Sequence, residues 1–549
     1  MFDAQIRDLR TSWNSSMLAA LACALLILFA VAPLPAQTFQ DRYDFICSTG
    51  CQPINPALVQ GSDGNLYGTA TNGGAHGFGT IFMVTPLGAY TDLWDFDGVT
   101  HGEGPSGLTE IGGTFYGTAF SGGSNDDGTI FSFTPPGTLT VLHSFHGTDG
   151  RNPRVPPTLG KDGNLYGLTD TSTYRITLPS GKFTLLPGKP PIDGTSTPLF
   201  LASDGNMYST SFGGGTSGNG TFFSMTTAGH LNVLYNFTAM GNDGAGPGGT
   251  LTEVGGNLYG VTTYGGGPAD DGTVYEMTLP GAETILHVFN AMTDGARPFG
   301  GLLHTSSGNF YGTASSGGSD GDGTVFEMAS GGTFGLVIDL TGNTGAAPGN
   351  TPNSTLTQHT NGTYYGVTLY GGANGVGNVF SLTPPNIFQT LLVDGPIWVK
   401  PGVPVEILGD NLGEVTNVSF AGVQASFQPG SNTYLTAQVP SAAVDGLITV
   451  TLTTPFGEQQ IESQQSMHIL PIITNLDPPS GSVGTQVGIV GGGFAGAKKV
   501  TFGGVKATNF TVVSPTLIQA IVPRGAKTGK VTVTTPNGAA NSKQTFTVN

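Results

Sequence analysis

The chain has 549 residues, too many for one hydrophobic core, so several domains are expected. Glycine (89) and proline (36) are abundant and charged residues make up only 10%, but 38% hydrophobic content argues against disorder and for a folded protein with many turns. With 36 acidic against 18 basic residues the net charge is −18, which repels phosphate backbones and anionic membrane surfaces, argues against nucleic-acid binding, and suits solubility, a cationic partner or calcium.

Residues 1–36 read as an export signal. Arg7 and Arg10 precede an apolar run from Met17 to Val31, and the small residues of Ala32-Pro33-Leu34-Pro35-Ala36 end it. Cleavage is expected near Ala36, leaving no stable membrane span. An uncleaved anchor is the alternative, against which the run is short. Cys23 lies inside the run, and the preceding Ala20-Leu21-Ala22 is a poor lipoprotein signal. The mature chain is therefore expected outside the cytoplasm: extracellular, on the cell surface or in the periplasm. In such a compartment Cys47 and Cys51 can pair in a small disulfide loop of modest stabilising effect.

From residue 37 to about 386 the chain repeats itself. A tyrosine phrase occurs seven times: Asn65-Leu66-Tyr67-Gly68, Thr114-Phe115-Tyr116-Gly117, Asn164-Leu165-Tyr166-Gly167, Asn206-Met207-Tyr208-Ser209, Asn257-Leu258-Tyr259-Gly260, Asn309-Phe310-Tyr311-Gly312 and Thr363-Tyr364-Tyr365-Gly366. A glycine-rich loop follows, then a Gly-Thr phrase such as Gly79-Thr80-Ile81-Phe82, then a third phrase such as Leu93-Trp94-Asp95-Phe96. Each is short, rich in β-branched and aromatic residues and bounded by turn residues, which predicts strands. A fourth strand precedes each tyrosine phrase, as in Gly107-Leu108-Thr109-Glu110-Ile111, often across a Gly-Gly or Asp-Gly turn. Tyrosine spacings of 49, 50, 42, 51, 52 and 54 residues give four strands per unit of propeller-blade size. A β-solenoid is the alternative, although its rungs are usually shorter.

Connectors of the form Asp149-Gly150-Arg151-Asn152-Pro153 also repeat, and Gly50-Cys51-Gln52-Pro53 behind Tyr43-Asp44-Phe45 fits them. The mature chain thus begins with a strand belonging to the end of a blade, predicted to complete the seventh and lock the ring, which removes exposed sheet edges. The third repeat departs from the pattern. Its glycine loop shrinks, and Ser172-Thr173-Tyr174-Arg175 replaces the Gly-Thr phrase.

Near Gln389 the pattern changes. Val405, Ile407 and Gly409 match Val487, Ile489 and Gly491 at an offset of 82, as do Val418, Phe420 and Gly422 with Val500, Phe502 and Gly504. Two units of short alternating strands, 387–470 and 471–549, are expected to be small sandwiches. The fold class is therefore all-β: a seven-bladed β-propeller followed by two immunoglobulin-like β-sandwiches.

On the tyrosine-glycine strand, the Gly-Gly loop and the Gly-Thr-Val-Phe strand, residues 43–385 resemble the GloVer tandem-repeat family of exported bacterial proteins. Residues 389–549 look like two IPT/TIG domains. The second rests on Pro478-Pro479-Ser480-Gly481, Gly491-Gly492-Gly493-Phe494 and Val500-Thr501-Phe502-Gly503-Gly504. The first has Val399-Lys400-Pro401-Gly402 where a Pro-Ser-Gly phrase is expected. These resemblances imply architecture more than activity. IPT/TIG domains occur on cell-surface proteins, in some carbohydrate-active enzymes and in some transcription factors, and the export signal and acidic charge argue against the last.

No residue is singled out as catalytic or cofactor-binding. Gly317-Gly318-Ser319-Asp320-Gly321 matches G-x-S-x-G, but in a repeat loop rather than at a strand-to-helix elbow. His143 and His287 occupy a position where other repeats carry Trp94 and Tyr235, which points to packing rather than ligation. The seven tyrosines read as filling space between blades, with sugar stacking by a few as the alternative. Asp126, Asp127, Asp270, Asp271, Asp320 and Asp322 lie in equivalent loops, on the face shared with the connectors. Calcium is one reading of these carboxylates, and plain Asp-Gly turns the other. The function expected is a non-enzymatic binding or structural protein of the bacterial surface or secretome, its propeller face holding a glycan or protein. The alternative is a carbohydrate-active enzyme, a lyase or glycosidase. A glycosidase needs two carboxylates roughly 5–10 Å apart, and no pair stands out.

Overall fold

The repeat phrases become strands in the order in which they occur. The computed structural model describes residues 37–549 other than 54–57, 192–196, 280, 306–307, 330, 385–389 and 455–456; the expected export signal lies outside the described residues. In the first repeat, Val59–Gln60, Leu66–Ala70, Thr80–Val84 and Tyr90–Asp95 form an antiparallel meander. The tyrosine phrase is its second strand and the Gly-Thr phrase its third. Six further meanders follow, with second strands Thr114–Ser121, Leu165–Leu168, Met207–Ser211, Asn257–Gly265, Phe310–Ser316 and Tyr364–Tyr370. Among the described residues the only helical element is a 3-10 turn, Leu412–Glu414.

Two glycines of the repeat are required by close packing. The glycine after the tyrosine faces an aromatic ring of the third strand. Gly68 is in register with Phe82, and a methyl group there would lie 2.6 Å from the ring. In the second and seventh sheets the same methyl would lie 2.5 Å from Phe131 and Phe380. The glycine before the threonine lies against the proline of the following connector: a methyl on Gly79 would lie 2.5 Å from Pro105, and on Gly128 2.7 Å from Pro153. Gly377 meets Pro53 in the same way. These two recurring letters of the repeat, Gly-Thr and the connector proline, are thus one contact between successive sheets.

Each sheet buries its aromatic face against the next, which removes apolar surface from water. Tyr67 and Phe96 of the first pack on Phe115 and Phe131 of the second. Ile130 and Phe145 pack on Tyr174 of the third. Tyr166 packs on Phe223, Phe237 on Tyr275, Phe289 on Phe326 and Tyr311 on Tyr364. The series then returns on itself: Tyr365 and Val379 of the seventh sheet share a cluster with Leu66 and Phe82 of the first, and Phe45 joins them.

The seventh sheet takes its fourth strand from the other end of the described chain. Thr38–Asp44 pairs antiparallel with Asn378–Thr383, from Thr38 opposite Thr383 to Asp44 opposite Asn378. This is the strand exchange expected from Tyr43-Asp44-Phe45. Leu392–Asp394 pairs with Pro404–Leu408 in the first sandwich, also as expected. The first strands are shorter than their phrases suggest, only two residues in the first, third and fourth sheets. The sheets also approach one another closely. A side chain on Gly249 would collide with the backbone of Gly301, and Thr250 and Thr355, from the fifth and seventh sheets, bring their hydroxyls within 3.0 Å.

The two C-terminal units share one strand order. In the first, Leu392–Asp394, Pro404–Leu408, Tyr434–Gln438 and Phe427–Pro429 face Val423–Gln424, Val415–Phe420, Ile448–Thr454 and Gly457–Glu462. In the second, Ile472–Asp477, Gln486–Gly492, Leu517–Ile521 and Phe510–Ser514 face Gly538–Val548, Gly529–Thr535, Lys499–Phe502 and Val505–Lys506. Ile407, Val418 and Phe420 line the first core where Ile489, Val500 and Phe502 line the second. The Asn537 amide ties the units together, donating to Asp445 at 2.8 Å and to the Ile469 carbonyl at 3.1 Å.

Candidate binding face

An antiparallel meander places the turn between its first and second strands at one end and the loop between its second and third at the other. The first sandwich rests on the turn end. Thr433 donates to the Ser62 carbonyl at 2.8 Å in the first sheet, and Gly112 N–H of the second donates to Asp394 at 2.8 Å. Lys161 of the third stands 5.7 Å from the Trp398 ring. In the seventh, Thr390 N–H donates to the Thr360 carbonyl at 3.3 Å. The opposite end, made of glycine loops and connectors, carries exposed apolar tips: Val99 (73% exposed), Met240 (78%) and Met292 (86%).

Those loops are tied to the sheets by a recurring bond. The loop N–H that follows the Gly-Gly pair donates to the last side chain of the fourth strand. Ala75 meets Asp95 at 2.6 Å, Ser124 meets Ser144 at 3.0 Å and Thr216 meets Asn236 at 3.0 Å. Ser319 meets Asp339 at 2.9 Å, and Ala373 meets Asp44 at 2.7 Å. The serine of the G-x-S-x-G match therefore occupies a structural position, with its hydroxyl also turned to Asp339.

The loop aspartates are turn-builders. Asp126 accepts Gly122 N–H at 3.1 Å and Asp270 accepts Gly265 N–H at 2.7 Å, both in left-handed backbone (φ +64° and +59°). Asp127 and Asp271 receive the next connector through their carbonyls, from Asn152 N–H and Arg297 N–H, each at 2.8 Å. The Asp271 carboxylate accepts Ala291 N–H at 2.9 Å, Asp322 accepts the Asn350 amide, and Asp320 is exposed. Each loop's carboxylates stay with their own sheet and the connector leaving it. Among the described residues no three His, Cys, Asp or Glu side chains come together as a metal site. Cys47 and Cys51 form a disulfide in the connector leading to the first sheet, their Cα atoms 4.7 Å apart.

The side chains best placed to touch a ligand were not singled out in the sequence. Phe212, Tyr264 and Phe299, from the fourth, fifth and sixth sheets, converge on the loop side, with Phe212 6.0 Å from Tyr264 and 6.3 Å from Phe299. Arg297 is exposed, 5.7 Å from the Tyr264 ring. A hollow beside the third sheet is lined by Asn152, Arg154, Leu168 and Asp170. There Arg154 pairs with Asp170 at 3.0 Å and lies 4.4 Å from the Phe120 ring. Aromatic faces beside guanidinium groups can stack on and hydrogen-bond a polar ligand. For Phe212 and Tyr264 the signal in the sequence was the residue just before the glycine loop, which varies from repeat to repeat, whereas Arg154, Arg297 and Phe299 lie in or beside connectors.

The histidines and tyrosines serve the scaffold. His143 stacks on Phe183 at 3.7 Å and bonds Asp149 at 2.9 Å; His287 stacks on Phe334 at 3.8 Å and bonds Asp294 at 2.8 Å. Packing was legible in the sequence, but the grip on the connector aspartate was not. Burial holds both imidazoles below their ordinary range, against the pull of the carboxylates. Tyr67, Tyr166 and Tyr208 are buried, and their hydroxyls donate to Asp63, Asp162 and Asp204 at 2.9, 2.8 and 2.7 Å. Burial, then Asp162, pushes the Tyr166 phenol up to about 12. Rings so enclosed have no face to offer a sugar.

The profile of the Gloeobacter/Verrucomicrobia repeat matches residues 27–177 and 169–380. The chain belongs to this repeat family. In this Gloeobacter/Verrucomicrobia repeat protein an IPT/TIG domain occupies residues 471–548. No curated protein matches the sequence. Solved structures with some likeness include a fungal alcohol oxidase of the AA5 family in complex with copper (13% identity, 76% of this chain and 98% of that one, TM-score 0.43). Another is PorZ, a surface component of the type-IX secretion system of Porphyromonas gingivalis (12%, 76% and 59%, TM-score 0.39). A third is the Bacteroides ovatus SGBP-B in complex with a mixed-linkage heptasaccharide (19%, 35% and 53%, TM-score 0.16). Scores this low carry no argument about what the repeat protein does. Among the described residues no helix is long and apolar enough to cross a membrane.

Proposed function

We propose that the seven sheets are the blades of a seven-bladed β-propeller, and that the protein is an exported, non-catalytic binding protein of the bacterial surface or secretome. On this reading the chain divides as 1–36 signal, 37–386 propeller, and 387–470 and 471–549 sandwiches. The blade reading is supported by seven successive meanders, the last packed on the first through Phe45, Tyr365 and Phe82. Export is supported by Arg7, Arg10 and the apolar run Met17 to Val31.

The observation that carries the binding reading is the placement of the first sandwich. It occupies the turn face and leaves the glycine-loop face, with its exposed tips and the Phe212–Tyr264–Phe299 cluster, open to a partner. The ligand is a glycan or a protein, and the sandwiches act as a spacer that presents the propeller. The non-catalytic part is supported by Asp270 and Asp271 accepting backbone amides and by Ser319 donating its own N–H and hydroxyl to Asp339. The test is a glycan-array and surface-protein capture screen of the mature chain beside the double variant Phe212→Ala, Tyr264→Ala. Binding that the variant loses by tenfold or more supports the reading. Binding that the variant retains, or turnover of a captured glycan, overturns it.

A further inference from the structure

Three carboxylates meet where the first sandwich touches the second sheet. Glu110, near the end of strand Glu103–Ile111, accepts Gly113 N–H through Oε1 at 2.6 Å. Asp394, at the end of strand Leu392–Asp394, reaches the same turn from the sandwich and accepts Gly112 N–H through Oδ1 at 2.8 Å. Its second oxygen, Oδ2, is buried without a hydrogen-bond partner. Glu406 stands opposite Asp394 in the sandwich sheet and adds a third negative field. From the first sheet, Tyr67 also feels Glu110, and the Tyr67 hydroxyl is already given to Asp63. The Arg–carboxylate ion pair found among the described residues, Arg154 with Asp170, lies in the loop-face hollow and not here.

A half-buried acidic cluster with no cation paired to it among the described residues disfavours full ionisation of its carboxylates. With Oε1 and Oδ1 each engaged by a backbone amide, the orphaned Oδ2 of Asp394 needs a donor, and a protonated Glu110 is the group at hand. We propose that the first sandwich docks on the second sheet with one proton held between Glu110 and Asp394, so that docking is tightest in acid and loosens as pH rises. Burial, then Asp394, pushes Glu110 far above its ordinary range in the docked state, while a freed Glu110 returns to it. The stabilisation is therefore complete below the ordinary carboxyl range and is lost as pH climbs above it, by up to about tenfold in the docking constant per pH unit for one proton. Loosening would uncover the turn face, which the binding reading treats as closed. The proposal rests on the interface contacts alone and stands or falls separately from that reading.

The experiment is a pH titration of energy transfer in the full mature chain, with dyes on Val99→Cys and Val513→Cys, both exposed positions. Efficiency should hold steady near pH 5 and fall with one-proton steepness above it. Glu110→Gln, whose neutral amide can donate to Asp394 at any pH, should stay docked and flat across the range. A flat wild-type titration overturns the proposal, as does a Glu110→Gln profile that follows the wild type. Docking that a chelator abolishes at constant pH overturns it too, because a metal would then sit where the proton is assigned.

Discussion

The closing seam and the internal seams solve one packing problem with different chemistry. Between the second and third sheets, His143 stacks on Phe183 and grips Asp149; between the fifth and sixth, His287 stacks on Phe334 and grips Asp294. At the closing seam the same position carries Tyr43, stacked on Tyr90 at 4.1 Å. The Tyr90 hydroxyl donates to the Thr49 carbonyl at 2.6 Å, and the Cys47–Cys51 disulfide braces the connector. Inside the series, each fourth strand follows its third directly in sequence. The closing strand must instead find a partner far along the chain, as in the Arg42–Ser381 hydrogen bond across 339 residues. Loop-closure entropy opposes that pairing. The Tyr43–Tyr90 stack and the braced connector also hold this strand against the first sheet, so it joins the seventh sheet to the first.

The sharpest way to break this comparison is to remove the same ring from each kind of seam. Phe45 and Phe145 are both fully buried. Phe45→Ala and Phe145→Ala should each cost ~3–5 kcal/mol in denaturant unfolding. A much smaller loss for Phe45→Ala would mean that closure does not depend on this seam. Next, reducing Cys47–Cys51 should cost about 2 kcal/mol, the loop-closure value for so short a loop, and lower the melting temperature. An unchanged melting temperature would mean that the brace is not needed.

Acid should act on the other side of the comparison. His143 and His287 titrate below the usual 6.5 in the folded state, so the unfolded chain takes up the proton first. The stability of these internal seams is full above about pH 6.5 and declines below it. The melting temperature should fall on acidification, with a shallower slope in the double variant His143→Phe, His287→Phe, and equal slopes would argue against the assignment. The smallest effect expected is that of calcium. With Asp126, Asp270 and Asp271 engaged by backbone amides and Asp322 by the Asn350 side chain, melting with calcium and with chelator should agree to within error, and a clear upward shift with calcium would support the ligand reading of Asp126, Asp127, Asp270, Asp271, Asp320 and Asp322.

Much of the scaffold was legible because the repeat exposes its own constraints. Tyr-Gly recurs because the glycine lies under a third-strand ring, and Gly-Thr recurs with the connector proline because the two touch. The closing strand was readable because Tyr43-Asp44-Phe45 keeps the fourth-strand pattern. The candidate binding face was less legible. Phe212, Tyr264 and Phe299 lie outside the repeated phrases, Arg297 fills a variable position within a connector, and a pattern search discards what varies. The histidines were readable as packing, but their grip on Asp149 and Asp294 depends on how each connector curls back.

By itself, then, the sequence determined the all-β class, the number and order of the repeat units, the strand that pairs across the two ends of the series, and the duplicated sandwich, because local periodicity and turn chemistry act over a few residues at a time. Only the tertiary structure decided which end of the sheets the first sandwich covers, which aromatic rings remain on the open side, and that Glu110 and Asp394, 284 positions apart by number, come to share one turn. Those outcomes depend on how finished sheets pack on one another, and no residue's immediate neighbours in the chain encode that packing.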